Sequence, residues 1–264
     1  MIRLASAPLG AALSLLLSTI ALAQSEPATD GPVPPALSRE CQTPGVTISG
    51  ETPLHHVTNA LRLRRSIKIL AIGASSKGGK ASADNGYQVV IEEVLEKTIP
   101  GTDVQIIDRG VSGELARDAA ERIKNEVALK KPDLVLWQLG THDALMHVPV
   151  DEFKATVRET LDWLKVHDVD VVIVGLHYLR NLVRDTHYQA IRQALNLAAD
   201  EFKVLRIGRY EAMQVIEQAR QVGKGPSPNA FTLTETGYAC LSEYVVRAVT
   251  SRAFARQPRP APRR

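Results

Sequence analysis

The chain lacks most motifs that mark a cofactor. There is no G-x-G-x-x-G, so nothing indicates a dinucleotide fold. There is no G-x-S-x-G either, because Lys77 stands two residues past Ser75. The nearest phosphate-loop frame runs from Ala74 to Ala81 (ASSKGGKA). It puts alanine where that loop needs its first glycine and its metal-binding hydroxyl. The histidines show no metal-ligand spacing, and no repeat of fixed period occurs. Neither a cofactor nor a metal is therefore expected. Past the first residues, no apolar run is long enough to span a bilayer. Cysteine is almost absent, with only Cys41 and Cys240.

The N-terminus reads as an export signal. Residues 1–23 carry Arg3, an Ala/Leu-rich apolar stretch and Ala21-Leu22-Ala23 before Gln24. A basic start, a short apolar middle and an A-x-A site make a secretory signal peptide. A membrane anchor is the weaker reading, because Pro8, Gly10 and several serines interrupt the run. The expected product is secreted, most simply periplasmic, with no transmembrane segment after cleavage. Residues 24–40 are rich in proline and small polar residues and read as a linker. Residues 41–252 suffice for one well-buried domain. Residues 253–264 form a basic Pro/Arg tail, in which Pro258, Pro260 and Pro262 forbid helix. Without Arg3 and the five arginines at 252, 256, 259, 263 and 264, the 32 bases become 26 against 29 acids. The domain itself is mildly acidic, and the tail reads as a solvated segment. Nucleic acid is not expected as a partner of an exported chain, and a monomer is expected. In an oxidising compartment Cys41 and Cys240 are placed to pair; two buried thiols are the alternative. A catalytic cysteine would want a histidine and an electropositive setting nearby.

Apolar runs at 66–73, 103–110, 132–140, 169–176 and 203–208 read as strands. Between and after them, 87–99, 114–131, 151–167, 187–202 and 236–252 carry helical spacing. Alternating strands and helices, with continuous apolar strands, predict an α/β fold. It is a three-layer α/β/α sandwich around a mainly parallel five-stranded sheet. Functional groups of such sheets gather at the carboxyl ends of the strands. That rule selects Gly73–Lys80, Asp108–Glu114, Gly140–Asp143 and Gly175–Tyr178. Ser75 then sits at the mouth of the first strand, where a nucleophile needs a base, an orienting acid and oxyanion donors.

Four blocks in order resemble those of the SGNH (GDSL-type) hydrolases. They are Gly73-Ala74-Ser75, Asp108-Arg109-Gly110-Val111-Ser112-Gly113-Glu114, Gly140-Thr141-His142-Asp143, and residues 229–238 (NAFTLTETGY). The resemblance covers residues 66–250 and implies the SGNH, flavodoxin-like version of the sandwich. It makes Ser75 the nucleophile and Gly113 an oxyanion donor. His142 takes the place of the family's oxyanion asparagine. Asn229 and Thr232 take the places of its catalytic aspartate and histidine, a degenerate triad. The implied substrate is a small acyl ester, acetyl above all, or an acylated glycan; the alternative is an inactive relative binding a glycan or a protein. His177, at the fourth strand's mouth, is a speculative substitute base, with Asp143 or Asp185 as its orienter. His55 and His56 read as surface residues; His147, His167 and His187 read as solvated. Some exported relatives also have a cysteine in the last helix, as Cys240 is here.

Overall fold

A computed structural model of the chain describes residues 32–39, 41–43, 48–50, 52–63, 65–74, 87–221 and 235–254. Its strands are β1 (Ile48–Ser49), β2 (Ile67–Ala74), β3 (Val104–Val111), β4 (Leu134–Gln138), β5 (Asp170–Val174) and β6 (Leu205–Ile207). Its helices are α1 (His55–Arg62), α2 (Tyr87–Thr98), α3 (Ala116–Lys130), α4 (Thr141–Leu145), α5 (Val150–Val166), α6 (Thr186–Phe202), α7 (Arg209–Gln221) and α8 (Glu235–Ala253). The sheet runs β1-β6-β5-β4-β2-β3. All pairings are parallel except β1 with β6, where Ile48 faces Ile207 and Ser49 faces Arg206.

The three-layer α/β/α sandwich is as the sequence implies, with one more strand than expected. The additional strand, β1, is two residues long, too short for any alternating pattern to show. Three helices also went unread: α1, α4 and α7. The short α4 begins inside the third block and runs two residues past it, and α7 follows β6 after the single residue Gly208.

Side chains along each strand alternate between two cores. Leu70, Ile72, Val135, Trp137 and Ile173 pack under α3, α5 and α6. Ile69, Ala71, Leu134, Leu136 and Val172 pack under α1, α2 and α8. Burying one such large side chain contributes about 1.5–3 kcal/mol relative to leaving it exposed. The outer strand β3 is only partly covered, which fits its mixed sequence VQIIDRGV. Among the described residues no helix is long and apolar enough to cross a membrane.

Cys41 and Cys240 are joined in a disulfide that closes a separation of 199 residues. Hydrogen bonds reinforce the strap: Tyr244 Oη donates to the Cys41 carbonyl at 2.8 Å, and the Ser38 N–H to Glu243 at 2.8 Å. The last part of the stretch read as linker is thus held along α8. Closing so long a loop restricts the unfolded chain. Cys41→Ser or Cys240→Ser should lower the unfolding free energy by about 3–5 kcal/mol, measured by denaturant titration.

Candidate active site

Glycine allows β2 to end where it does. Gly73 pairs with Gly110 on one side and Gln138 on the other, at φ +104°. A Cβ there would stand 2.1 Å from the Gln138 carbonyl oxygen. Only glycine lets the central strands approach this closely at the edge leading to Ser75. Ser75 itself lies outside the described residues, as do Asn229 and Thr232.

The second and third blocks are brought together. Gly113 adopts φ +78°, and a Cβ on it would lie 3.8 Å from His142 Nε2 and Cδ2. The two residues that the sequence places at oxyanion positions therefore sit side by side. The Nδ1 atom of His142 is buried and has no hydrogen-bond partner among the described residues. One ring nitrogen of this imidazole is therefore uncommitted.

Asp143 fixes that arrangement. It is 1 % exposed, and its two oxygens accept the Ala116 N–H at 2.8 Å and the Gly140 N–H at 3.1 Å. One carboxylate thus joins the start of α3, just past Gly113, to the turn that carries His142. Burial pushes this carboxyl above its ordinary range, and the two N–H groups only partly offset the shift. A second buried acid, Glu114, ion-pairs with Arg122. Arg122 also donates to the Arg109 carbonyl at 2.7 Å. Burial likewise raises Glu114, against the pull of Arg122 and of the Gly73 backbone N–H. The second block is therefore tied to both β2 and β3.

His177 is held through its backbone. Its N–H donates to Thr141 Oγ1 at 3.0 Å, and its carbonyl accepts from the Tyr188 hydroxyl at 2.7 Å. Burial drives its imidazole pKa well below the ordinary value, with Arg209 and then His142 adding to the shift. Burial also pushes the Tyr188 phenol up to about 12.

The expected orienters of His177 are both committed elsewhere. Asp143 holds two backbone amides, and Asp185 caps α6 by accepting the Tyr188 N–H at 2.7 Å. Each carboxylate lies next to a helix start, where backbone donors are available. Sequence reasoning missed Arg209, which is 5 % exposed and stands just beyond β6. The strand-end rule applied to the fifth apolar run would have found it.

Among the described residues, only the His142 ring comes within 4 Å of a Cβ on Gly113. His147 is exposed and His187 half-buried, with rings stacked at 5.0 Å between centroids. His167 is exposed and stacks on Trp163. His56 is half-buried, and its N–H donates to Asp170. Among the described residues, no group of three or more His, Cys, Asp or Glu could hold a metal. A cavity of about 280 Å³ lined by Leu54, Leu161, Asp170 and Phe202 lies at the opposite, amino edge of the sheet.

The depressed pKa of His177 has a stability consequence. A histidine held neutral in the fold gives its full contribution above its unfolded pKa of about 6.5. That contribution is lost as pH falls toward the folded value. Between about pH 7 and pH 5 the wild type should lose unfolding free energy relative to His177→Gln. Parallel pH profiles from denaturant titration would contradict this.

The model of the non-GDSL lipase-like family matches residues 40–254. Over 119 residues the chain is 27% identical to an acetylxylan esterase of Geobacillus stearothermophilus, covering 41% of this chain and 54% of that protein. Over 128 residues it is 25% identical to an arylesterase of Vibrio mimicus, covering 44% and 64%. The chain thus spans between half and two thirds of these curated relatives. Among solved structures, a variant of Axe2, an acetyl xylan esterase from Geobacillus stearothermophilus, superposes with a TM-score of 0.57 at 20% identity, covering 74% of this chain and 100% of that one. TesA superposes at 0.54 and 14% identity, covering 71% and 99%. At such identities these two share the fold alone. With four blocks in order, an SGNH-type sandwich and a family match over most of its length, the chain belongs to the non-GDSL lipase-like family of SGNH-type hydrolases.

Proposed function

We propose that this is an exported serine esterase with a degenerate triad, acting on small acyl esters, acetyl esters above all. The observation that carries the reading is the contact between Gly113 and His142, held by Asp143. An acyl-transfer site needs donors aimed at the oxygen that becomes negative. The Gly113 N–H and a ring N–H of His142 would supply them. Ser75 would attack the carbonyl carbon and form an acyl-enzyme, releasing the alcohol; water would then release the acid. His177, held neutral by burial, is the candidate proton acceptor. Its low basicity makes it a weak one, since a base works best with a pKa near the working pH.

The expected enzyme is slow. General-base catalysis contributes about 10²–10⁴-fold. A site that has lost a triad member still keeps roughly 10³–10⁴-fold over water from its oxyanion hole and binding. The ester's alcohol is either a glycan hydroxyl or an apolar alcohol; the acetylxylan esterase and the arylesterase represent one of each. A second reading rests on Asn229 and Thr232: a protein that keeps the cleft and binds a glycan or protein without turnover.

Hydrolysis of a short-chain nitrophenyl ester separates the two. The esterase reading expects turnover above background that Ser75→Ala abolishes. It also expects Asn229→Asp with Thr232→His to raise the rate by about 10²-fold or more. Equal, near-background rates for wild type and Ser75→Ala would overturn it in favour of binding.

A further inference from the structure

We infer that the cavity at the amino edge of the sheet is a binding site for an uncharged apolar alcohol, held by its hydroxyl on the Asp170 carboxylate. This site shares no residue with the carboxyl edge, where the esterase reading places its chemistry. The cavity has a volume of about 280 Å³. An engineered apolar cavity of about 150 Å³ already takes up benzene, so a benzyl-sized body has room here. The buried Leu54 and Leu161 and the half-buried Phe202 and Val204 supply apolar walls. Asp170 begins β5 and stands in the same lining. One of its oxygens, Oδ2, accepts both the His56 N–H at 2.9 Å and the Val57 N–H at 3.0 Å, in the first turn of α1. Among the described residues no hydrogen bond reaches the other oxygen, Oδ1. The start of α1 therefore uses half of this carboxylate and leaves an acceptor beside apolar walls. Burial works against its charge and raises the carboxyl pKa, and the Val57 amide and His56 only partly offset the shift.

The lining selects the class of ligand. A carboxylate oxygen only accepts, so the ligand must bring an O–H or N–H. A carboxylate ligand has no donor and would meet both Asp168 and Asp170. An ammonium brings three donors to one open oxygen, and the others would lose their water against apolar walls. It would also meet Lys165, which is exposed at the rim with Asp168 and opposite to it in charge. A sugar would bury several hydroxyls against leucine and phenylalanine. A single hydroxyl matches the single open acceptor, and its bond to a charged oxygen is roughly twice as strong as a neutral one. One hydroxyl on an apolar body is the group that leaves nothing unpaired.

The test is an amide NMR titration of the protein with 4-fluorobenzyl alcohol, 4-fluorotoluene, 4-fluorobenzoate and 4-fluorobenzylammonium, repeated in Asp170→Asn. The alcohol should shift the amides of residues that line the cavity, Val169 and Val204 among them. It should bind about tenfold or more tightly than each of the other three. Asp170→Asn keeps a carbonyl oxygen for the two α1 amides and removes the charged acceptor. The advantage of the alcohol over 4-fluorotoluene should then fall several-fold. If Asp170→Asn does not fold, the ranking of the four compounds on the wild type decides alone. The inference is overturned by no shift with the alcohol, by equal affinity for 4-fluorotoluene, or by tighter binding of the benzoate or the ammonium. It is also overturned by shifts confined to the surroundings of Gly113 and His142, or by an unchanged advantage in a folded Asp170→Asn. The titration reads no turnover, so its outcome leaves the esterase reading untouched.

Discussion

The site depends on one buried carboxylate. Asp143 takes two backbone amides out of water and joins them: Ala116 at the start of α3 and Gly140 at the end of β4. Removing a partner from such a pair leaves buried donors unsatisfied, at about 1–3 kcal/mol per group. The cost of keeping the carboxylate itself buried shows in its raised pKa. A protein that maintains a charge against desolvation, with backbone amides as its stabilisers, holds those amides at fixed positions. Gly113 lies three residues before Ala116, and His142 two after Gly140. Their contact is the geometric result.

Around this clamp, the carboxyl edge is assembled from short ties between neighbouring strands. Glu114 and Arg122 secure the β3 turn. Thr141 and Tyr188 secure the backbone of His177 at the end of β5. Burial first, then Arg209 and His142, lower the pKa of the His177 imidazole. These influences disfavour a further proton arriving on His177, which makes it a poor base for the esterase proposed above.

Much of the fold was legible in the sequence because its signal is local. Five strands appear as apolar runs, since a parallel sheet covered on both faces buries both sides of its inner strands, while the outer β3 is only partly covered. β1 was not legible, because two residues carry no periodicity. Nor was α4, whose five residues look like a turn after β4. At the site, the second and third blocks are brought together, with Gly113 beside His142; Ser75 and the triad positions of the fourth block lie outside the described residues. What the sequence does not carry is the partner of each polar group. Asp143 and Asp185 both read as possible orienters for a histidine, yet both are committed to backbone donors of helix starts. Arg209 went unread because the helix it opens was itself unseen.

The central claim is that Asp143 holds Gly113 and His142 as the oxyanion site of the proposed esterase, whose nucleophile is Ser75. The most direct measurement is the rate of covalent labelling by a fluorophosphonate, with the labelled residue located by mass spectrometry. It is made on wild type and on Asp143→Asn, with folding of both checked by melting. The account predicts labelling at Ser75 in the wild type and labelling about tenfold slower or worse in a folded Asp143→Asn, on the scale of losing a preorganised oxyanion donor. No label at Ser75, or equal rates in the two proteins, would contradict it.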